Sequence, residues 1–231
     1  MNLLAIDTSS RACALAVSRS GHIEESFAVL ERRHSQEVLG RLIDLMQSAG
    51  IGLSELDAII FGQGPGSFTG VRIAVGVVQG LGFGLDIPVV PVSSLAAIAQ
   101  GTFRESGSVD IVSALHARAD EFFMGAFHIS EGCAEPVIPE LIHSPTDAAE
   151  LSRTIAWTGA GDGWGEHGAL LASSLDVRIA ASFAETLPRG TDLIALGERA
   201  YARGAAVVAE NARPVYLREV VARTIAERQG E

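Results

Sequence analysis

The sequence predicts an α/β protein in which one βββαβαβα unit occurs twice. Each half of the chain opens with three short apolar segments of strand length, and each then alternates helical periodicity with further short apolar runs. A polar break at residues 104–108 (RESGS) separates the halves. We therefore expect an N-terminal lobe at residues 1–104 and a C-terminal lobe at 105–231, with the last segment able to pack back on the first lobe.

The first lobe is predicted to begin with three strands and to continue with alternating helices and strands. Short apolar runs predict strands at residues 2–7, 12–18, 22–30, 56–61 and 87–92. Apolar residues at helical spacing predict helices at residues 34–49, 70–85 and 93–103. The first of these helices ends before Gly50, and Ser93 is the expected N-cap of the last.

The second lobe repeats this order less clearly. Strands are predicted at residues 109–115, 121–129, 133–142 and 154–159. Helices are predicted from Pro145, from near Trp164, and over residues 192–205. Two copies of one topology are typical of the actin-like, ribonuclease-H-like (ASKHA) duplicated fold, which sugar kinases and chaperone ATPases use. The alternative is a single doubly wound α/β domain with an elaborate tail.

Composition limits the functions that this chain can have. Its 231 residues, 48% of them hydrophobic, are enough to bury one large core or two modest ones. The net charge of −11 would repel a phosphate backbone, so we do not expect the chain to bind nucleic acid alone. Cys13 and Cys133 form no CxxC pair, and Asp7 interrupts the apolar run that a signal peptide needs, which predicts a cytoplasmic protein. The most apolar window, residues 73–85, is too short to predict a membrane span.

The segment GQGPGSFTG, residues 62–70, raises the possibility of phosphate binding, because glycine-rich turns before helices often hold anions. It lacks the lysine of a P-loop and does not fit G-x-G-x-x-G. We interpret it instead as a rigid turn, distant from both hairpins, in which Gly64, Gly66 and Gly70 adopt positive φ. Ser67 or Thr69 would then cap the following helix.

The turns of the two predicted hairpins are the phosphate-binding elements of the actin-like fold. The first turn contains Asp7, Thr8 and Ser9, and the second runs over residues 116–120; neither contains glycine. We interpret Asp7, Thr8 and Ser9 as a degraded phosphate turn. No cofactor is therefore expected, apart from a weak nucleotide contact at a partner interface, which the sequence leaves open.

Helices 34–49 and 70–85 are more apolar than a helix that covers only one side of a sheet. Gly76, Gly80 and Gly84 would allow another helix to approach closely. These features predict a subunit interface, although core packing alone is the alternative, and the face of helix 34–49 that meets the partner is left open. The predicted interface residues are Val38, Leu39, Leu42, Leu45, Met46, Arg72, Val75, Gly76, Gln79 and Gly80.

Six segments resemble the TsaB (YeaZ) family, whose members bacteria need to make threonylcarbamoyladenosine in tRNA. They are DTSSRACALAV, HSQEVL, GQGPGSFTGVRI, VVPVSSL, ALHARADEFFMGAF and PVYLRE. The resemblance is strongest over residues 1–103 and weakest over 131–190. His116 departs from the family, which often has an acidic residue there.

The resemblance implies a non-catalytic paralogue of the catalytic subunit TsaD that acts as its partner in modifying adenosine 37 of tRNA. The ATPase TsaE would join the complex. The acidic charge balance predicts that tRNA is contacted only through the complex, and the apolar helices predict a homodimer of the free chain. In this family, the two helices described above pair with the same helices of the partner.

Metal and nucleophile chemistry are not expected. The catalytic relatives hold a metal through a His-x-x-x-His pair, but Val38 stands four residues after His34, and no two histidines here have that spacing. Ser9, Ser67 and Ser93 are better explained as turn or cap residues than as nucleophiles. We thus predict no catalytic and no metal residues; the alternative function is an active small-molecule phosphotransferase of the actin-like group.

Overall fold

The computed structural model describes residues 1–30, 33–118, 120–144, 146 and 151–217. The strands are β1 (Asn2–Asp7), β2 (Ala12–Arg19), β3 (His22–Val29), β4 (Ala58–Gly62), β5 (Val89–Val92), β6 (Asp110–Arg118), β7 (Glu121–Ser130), β8 (Cys133–Pro136), β9 (Leu141–His143), β10 (Ala156–Ala160) and β11 (Arg178–Phe183). The α-helices are α1 (His34–Ser48), α2 (Phe68–Leu85), α3 (Ser94–Ser106), α4 (Gly168–Leu175) and α5 (Gly190–Ala202).

The strands form two sheets with the same topology. The first has the order β3-β2-β1-β4-β5, and the second has the order β11-β10-β6-β7-β8, with β9 also pairing with β7. In each sheet the first three strands are antiparallel, and the next two continue parallel to the first strand. The predicted duplicated, two-lobed actin-like architecture is confirmed by this match.

Helices cover the two sheets on both faces. α1 and α2 pack on the outer face of the first sheet, and α4 packs on the second sheet beside Trp157 and Trp164. α3 and α5 lie between the sheets, where Leu95, Ile98 and Leu193 join one central core. Helix α2 is therefore an outer helix of the first lobe, so its apolar sequence is not explained by burial between the lobes.

The two central helices connect the halves of the chain. α3 follows the first sheet but packs against β6, β7 and β8, whereas α5 packs against β1, β2 and β5 of the first sheet. The guanidinium of Arg104 on α3 donates to both carboxylate oxygens of Asp192 on α5, at 2.9 and 3.1 Å. After α5, Val207 pairs with Val89, and the backbone N–H of Val215 donates to the carbonyl of Gln63, so this segment lies against the first lobe.

The predicted elements differ from the structure at three places in the second half. The predicted strand 133–142 is two strands, because β8 ends at Pro136 and the chain bends before β9. A single 3₁₀ turn occupies residues 162–164, and α4 begins only at Gly168. β11 was not predicted. The predicted helix from Pro145 and the end of the PVYLRE segment lie outside the described residues.

Within the described part of the chain, α2 alone is long and apolar enough to cross a membrane by length and composition, with a mean hydropathy of 1.4. Its buried residues include Ala74, Val75 and Val78, which pack into the core of the first lobe. A core helix of a globular protein has the same composition.

Candidate functional site

Asp7, at the end of β1, has its carboxylate directed into the protein. Its Oδ1 accepts hydrogen bonds from the backbone N–H and the hydroxyl of Ser9, both at 2.8 Å, and its Oδ2 accepts one from the Ser94 hydroxyl at 3.0 Å. Burial raises the pKa of this carboxyl, and the three hydrogen bonds oppose that shift. Both oxygens are therefore engaged inside the chain.

The turn after β1 is packed directly against the glycine-rich segment. The Thr8 hydroxyl donates to the carbonyl of Gly70 at 2.6 Å, and the backbone N–H of Ser67 donates to the carbonyl of Ser9 at 2.7 Å. A Cβ atom at Gly66 would overlap the Ser9 carbonyl oxygen. The prediction that this segment lies away from both hairpins is therefore wrong: it fits over the turn at residues 8–9.

Two of the three glycines predicted to adopt positive φ have a different role. Gly64 has the expected positive φ, +98°, but Gly66 and Gly70 do not. At Gly66 and Gly70 the first hairpin turn lies so close that a side chain would not fit. Glycine is therefore required at these positions for space and not for its backbone conformation. Ser67 is the N-cap of α2, as predicted, since its hydroxyl accepts a hydrogen bond from the Gly70 N–H.

A cleft of about 430 Å³ separates the two hairpin turns. Its lining includes Ser10, Ser67 and Arg118, together with His116, whose ring stacks on that of His167 at 5.3 Å. The backbone N–H of His116 donates to Asp162 at 2.8 Å. Over the described ranges, no group of three or more His, Cys, Asp or Glu residues is placed to hold a metal ion.

The structure divides the predicted interface residues of α1 into two groups. Val38, Leu42, Leu45 and Met46 are buried in the core of the first lobe. Their assignment to an exposed interface is wrong, because this stripe of α1 packs on the chain's own sheet. Leu39 lies at the edge of this stripe and is 52% exposed.

The predicted residues of α2 are divided in the same way. Val75 is buried in the core of the first lobe, which corrects its assignment, and Gln79 is half-buried, donating to the carbonyl of Ala212 at 3.0 Å. Arg72, Gly76 and Gly80 are exposed. Among the described residues, no atom lies within 4 Å of the place that a Cβ at Gly76, Gly80 or Gly84 would occupy.

Six exposed residues of these two helices define what we call the open face: Leu39 and Ile43 on α1, and Arg72, Gly76, Gly80 and Phe83 on α2. Ile43 is 52% exposed and Phe83 is 71% exposed. Neither was among the predicted interface residues. The signal for Phe83 was available in the sequence, because Phe83 follows Gly76 and Gly80 at helical spacing.

The chain is similar in sequence to proteins of known family. The family model described as "TsaD: tRNA N6-adenosine threonylcarbamoyltransferase" matches residues 28–226. The "tRNA threonylcarbamoyladenosine biosynthesis protein TsaB" of Escherichia coli is 33% identical over 235 residues, which cover 96% of each chain. This chain belongs to the TsaB family. The TsaB protein of Haemophilus influenzae is 31% identical and covers 96% of this chain and 95% of its own.

A solved TsaB-family structure has the same fold. YeaZ from Pseudomonas aeruginosa superimposes with a TM-score of 0.88 at 42% sequence identity, covering 94% of this chain and 99% of its own. This coverage extends the similarity beyond residues 1–103, where the sequence motifs are strongest. The resemblance to the TsaB (YeaZ) family that the sequence motifs predict is thus confirmed.

Proposed function

We propose that this chain is a non-catalytic partner subunit in the synthesis of threonylcarbamoyladenosine at adenosine 37 of tRNA. It binds a TsaD-type catalytic subunit, and a TsaE-type ATPase joins the complex. The observation that carries the proposal is the open face of α1 and α2, together with membership of the TsaB family.

The open face supports subunit binding because it combines exposed apolar side chains with space for a close approach. Ile43 and Phe83 expose large apolar groups, and Gly76 and Gly80 leave the backbone of α2 uncovered. A helix can approach such a surface closely, and burying the exposed apolar groups favours association. The same surface supports a homodimer of the free chain, which would compete with the catalytic subunit.

The first hairpin supports the absence of catalysis. A phosphate turn needs free backbone donors and a carboxylate that faces the ligand. Here the Ser9 N–H donates to Asp7 Oδ1, and Asp7 Oδ2 accepts from the Ser94 hydroxyl. The net charge of −11 further supports a complex in which a more basic subunit binds the tRNA.

The alternative, an active phosphotransferase, draws support from the cleft between the hairpin turns, which is lined by Arg118 and several hydroxyl groups. Isothermal titration with ATP and Mg²⁺ separates the two functions. The partner-subunit proposal predicts no micromolar binding to the chain alone and no phosphate transfer. Micromolar binding with turnover on an acceptor would support the phosphotransferase instead.

Association is tested by analytical ultracentrifugation of the chain mixed with a TsaD-type protein. We expect a stable complex, and a decrease in the homodimer as the partner is added. Absence of a complex at micromolar concentrations would overturn the proposal.

A further inference from the structure

Arg72, in the second turn of α2, is held in place by two aromatic rings. Its guanidinium carbon lies 3.9 Å from the centroid of the Phe68 ring and 5.7 Å from that of Tyr216. Its Nε donates to the Tyr216 hydroxyl at 2.7 Å, and the two rings are 5.6 Å apart. The three residues, which we call the arginine clamp, are all exposed.

The clamp holds a guanidinium that has no carboxylate partner in the described part of the chain. Several other arginines are paired with a carboxylate there, such as Arg41 with Glu37, Arg104 with Asp192, and Arg189 with Glu25. Arg72 instead forms its hydrogen bond to a neutral hydroxyl through Nε, so its two terminal nitrogens are left to bind another group. Because the stacked rings already restrict the side chain, binding through those nitrogens costs little further conformational entropy.

An apolar notch of about 130 Å³ lies next to the clamp. It shares Phe68 and Tyr216 with the clamp, and its other walls include Pro65, Val71 and Phe123. A fixed guanidinium beside an apolar notch is complementary to a carboxylate that has an apolar side chain close to it.

We infer that Arg72 is the polar anchor of the subunit interface and pairs with an Asp or Glu side chain of the TsaD-type partner. This inference rests on the proposed function and adds the chemistry that the partner must present. Arginine held by aromatic residues at an interface contributes strongly to affinity, because the charge is placed before binding.

A protein carboxylate fits the clamp better than RNA does. The guanidinium of Arg72 already covers the Phe68 ring, so that face is not available for stacking on a base. The net charge of −11 also opposes approach of a phosphate backbone. The clamp is therefore suited to an ion pair with one carboxylate and not to stacking on RNA bases.

The experiment measures the dissociation constant for a TsaD-type protein by isothermal titration at several salt concentrations. Arg72→Ala should weaken binding at least about tenfold and reduce its salt dependence, while the protein stays folded and loses only the small stability that its exposed contacts with Phe68 and Tyr216 supply. Arg72→Lys should not restore affinity, because an ammonium group cannot form a bidentate pair with a carboxylate and does not stack on aromatic rings as a guanidinium does. Arg178→Ala, which removes an exposed arginine from edge strand β11, is the matched control and should bind normally.

A double-mutant cycle identifies the carboxylate. Neutralising the correct Asp or Glu of the partner should weaken its binding to wild type about as much as Arg72→Ala does. The same change should weaken binding to the Arg72→Ala variant only a little further. Tyr216→Phe, which removes only the hydroxyl, should cause a smaller loss than Arg72→Ala.

The outcomes distinguish this inference from the proposed function. If wild type does not bind the partner, the proposed function fails, and the inference fails with it. If wild type binds but Arg72→Ala binds as tightly as Arg178→Ala, the inference alone is overturned. It is also overturned if Arg72→Ala keeps the partner but loses binding to an anticodon stem-loop RNA that wild type binds.

Discussion

Thr8 and Gly70 are in contact through both backbone and side chain. The Thr8 hydroxyl donates to the Gly70 carbonyl at 2.6 Å, and a Cβ atom at Gly70 would overlap the Thr8 carbonyl oxygen. The glycine-rich segment, whose composition suggests an anion site, therefore accommodates another turn of its own chain. The contact fixes the start of α2 and, with it, the position of the open face.

Gly66→Val should destabilise the protein. The new Cβ would overlap the Ser9 carbonyl oxygen, and relieving an overlap with backbone costs roughly 1–3 kcal/mol or more. Urea unfolding of the variant measures the loss of free energy of unfolding. Gly40→Ala, at an open position in α1, is the control and should stabilise the helix by about 0.5–1 kcal/mol. A Gly66→Val variant as stable as wild type, but unable to support the complex, would show that the segment has a direct functional role.

Gly80→Arg should abolish self-association and binding to a TsaD-type partner while leaving the monomer folded. Position 80 is open in the free chain, so the arginine fits there, but an unpaired charge in a closely packed apolar interface costs several kcal/mol. Sedimentation alone and with the partner gives the result. Ser173→Arg, on the exposed side of α4, is the control. If Gly80→Arg still formed both assemblies, the interface would lie elsewhere.

The stability of the Glu140→Gln variant, relative to that of wild type, should increase as the pH rises. Burial raises the pKa of Glu140, and the hydrogen bond from the Ser93 hydroxyl only partly offsets this. The folded chain therefore keeps this proton to a higher pH than the unfolded chain does, and wild-type stability falls as the pH rises from about 4.3 through the folded pKa.

Unfolding temperatures between pH 4 and 8 test this expectation. The difference between Glu140→Gln and wild type should increase toward neutral pH, because glutamine does not ionise. Glu198→Gln, at an exposed position of α5, serves as the control. A difference that is constant or decreases with pH would mean that Glu140 ionises without cost in the folded state.

Cys13 should be inert to thiol reagents in the native protein. It is fully buried, and burial raises its pKa to about 11, so little thiolate exists at neutral pH. Cys133 is only half-buried. Mass spectrometry after alkylation should show one modified cysteine in native protein and two in denaturant. Rapid native modification of Cys13 would indicate that strand β2 opens readily.

The sequence is sufficient to predict the helices and strands whose positions depend on local residue patterns. The periodicity from Val38 to Met46 and the stop at Gly50 define α1, and Ser67 and Ser93 mark the starts of α2 and α3. β11 was missed because it is short and largely exposed, so it lacks the apolar run that identifies a strand. Pro136 and Pro139 indicate the break between β8 and β9, but the apolar residues around them predict one continuous strand.

The candidate site was less predictable, because it depends on contacts between distant parts of the chain. Ser9 and Ser67 meet only after folding, and nothing near either residue indicates this. Periodicity revealed two apolar stripes on α1, but it could not show that Leu42 faces the sheet and Leu39 faces outward. The arginine clamp joins Arg72 to Tyr216, which is far away in sequence and packs beside α2 only because the chain returns there after α5.

Reconstituted modification of tRNA tests the central claim most directly. Unmodified tRNA is supplied with threonylcarbamoyl adenylate and with this chain alone, a TsaD-type protein alone, or both together with a TsaE-type ATPase and ATP, and threonylcarbamoyladenosine is measured by mass spectrometry. We expect no product from this chain alone and sustained product only when it is combined with its partners. Product formed by this chain alone, or full activity of the other proteins without it, would contradict its assignment as a required non-catalytic subunit.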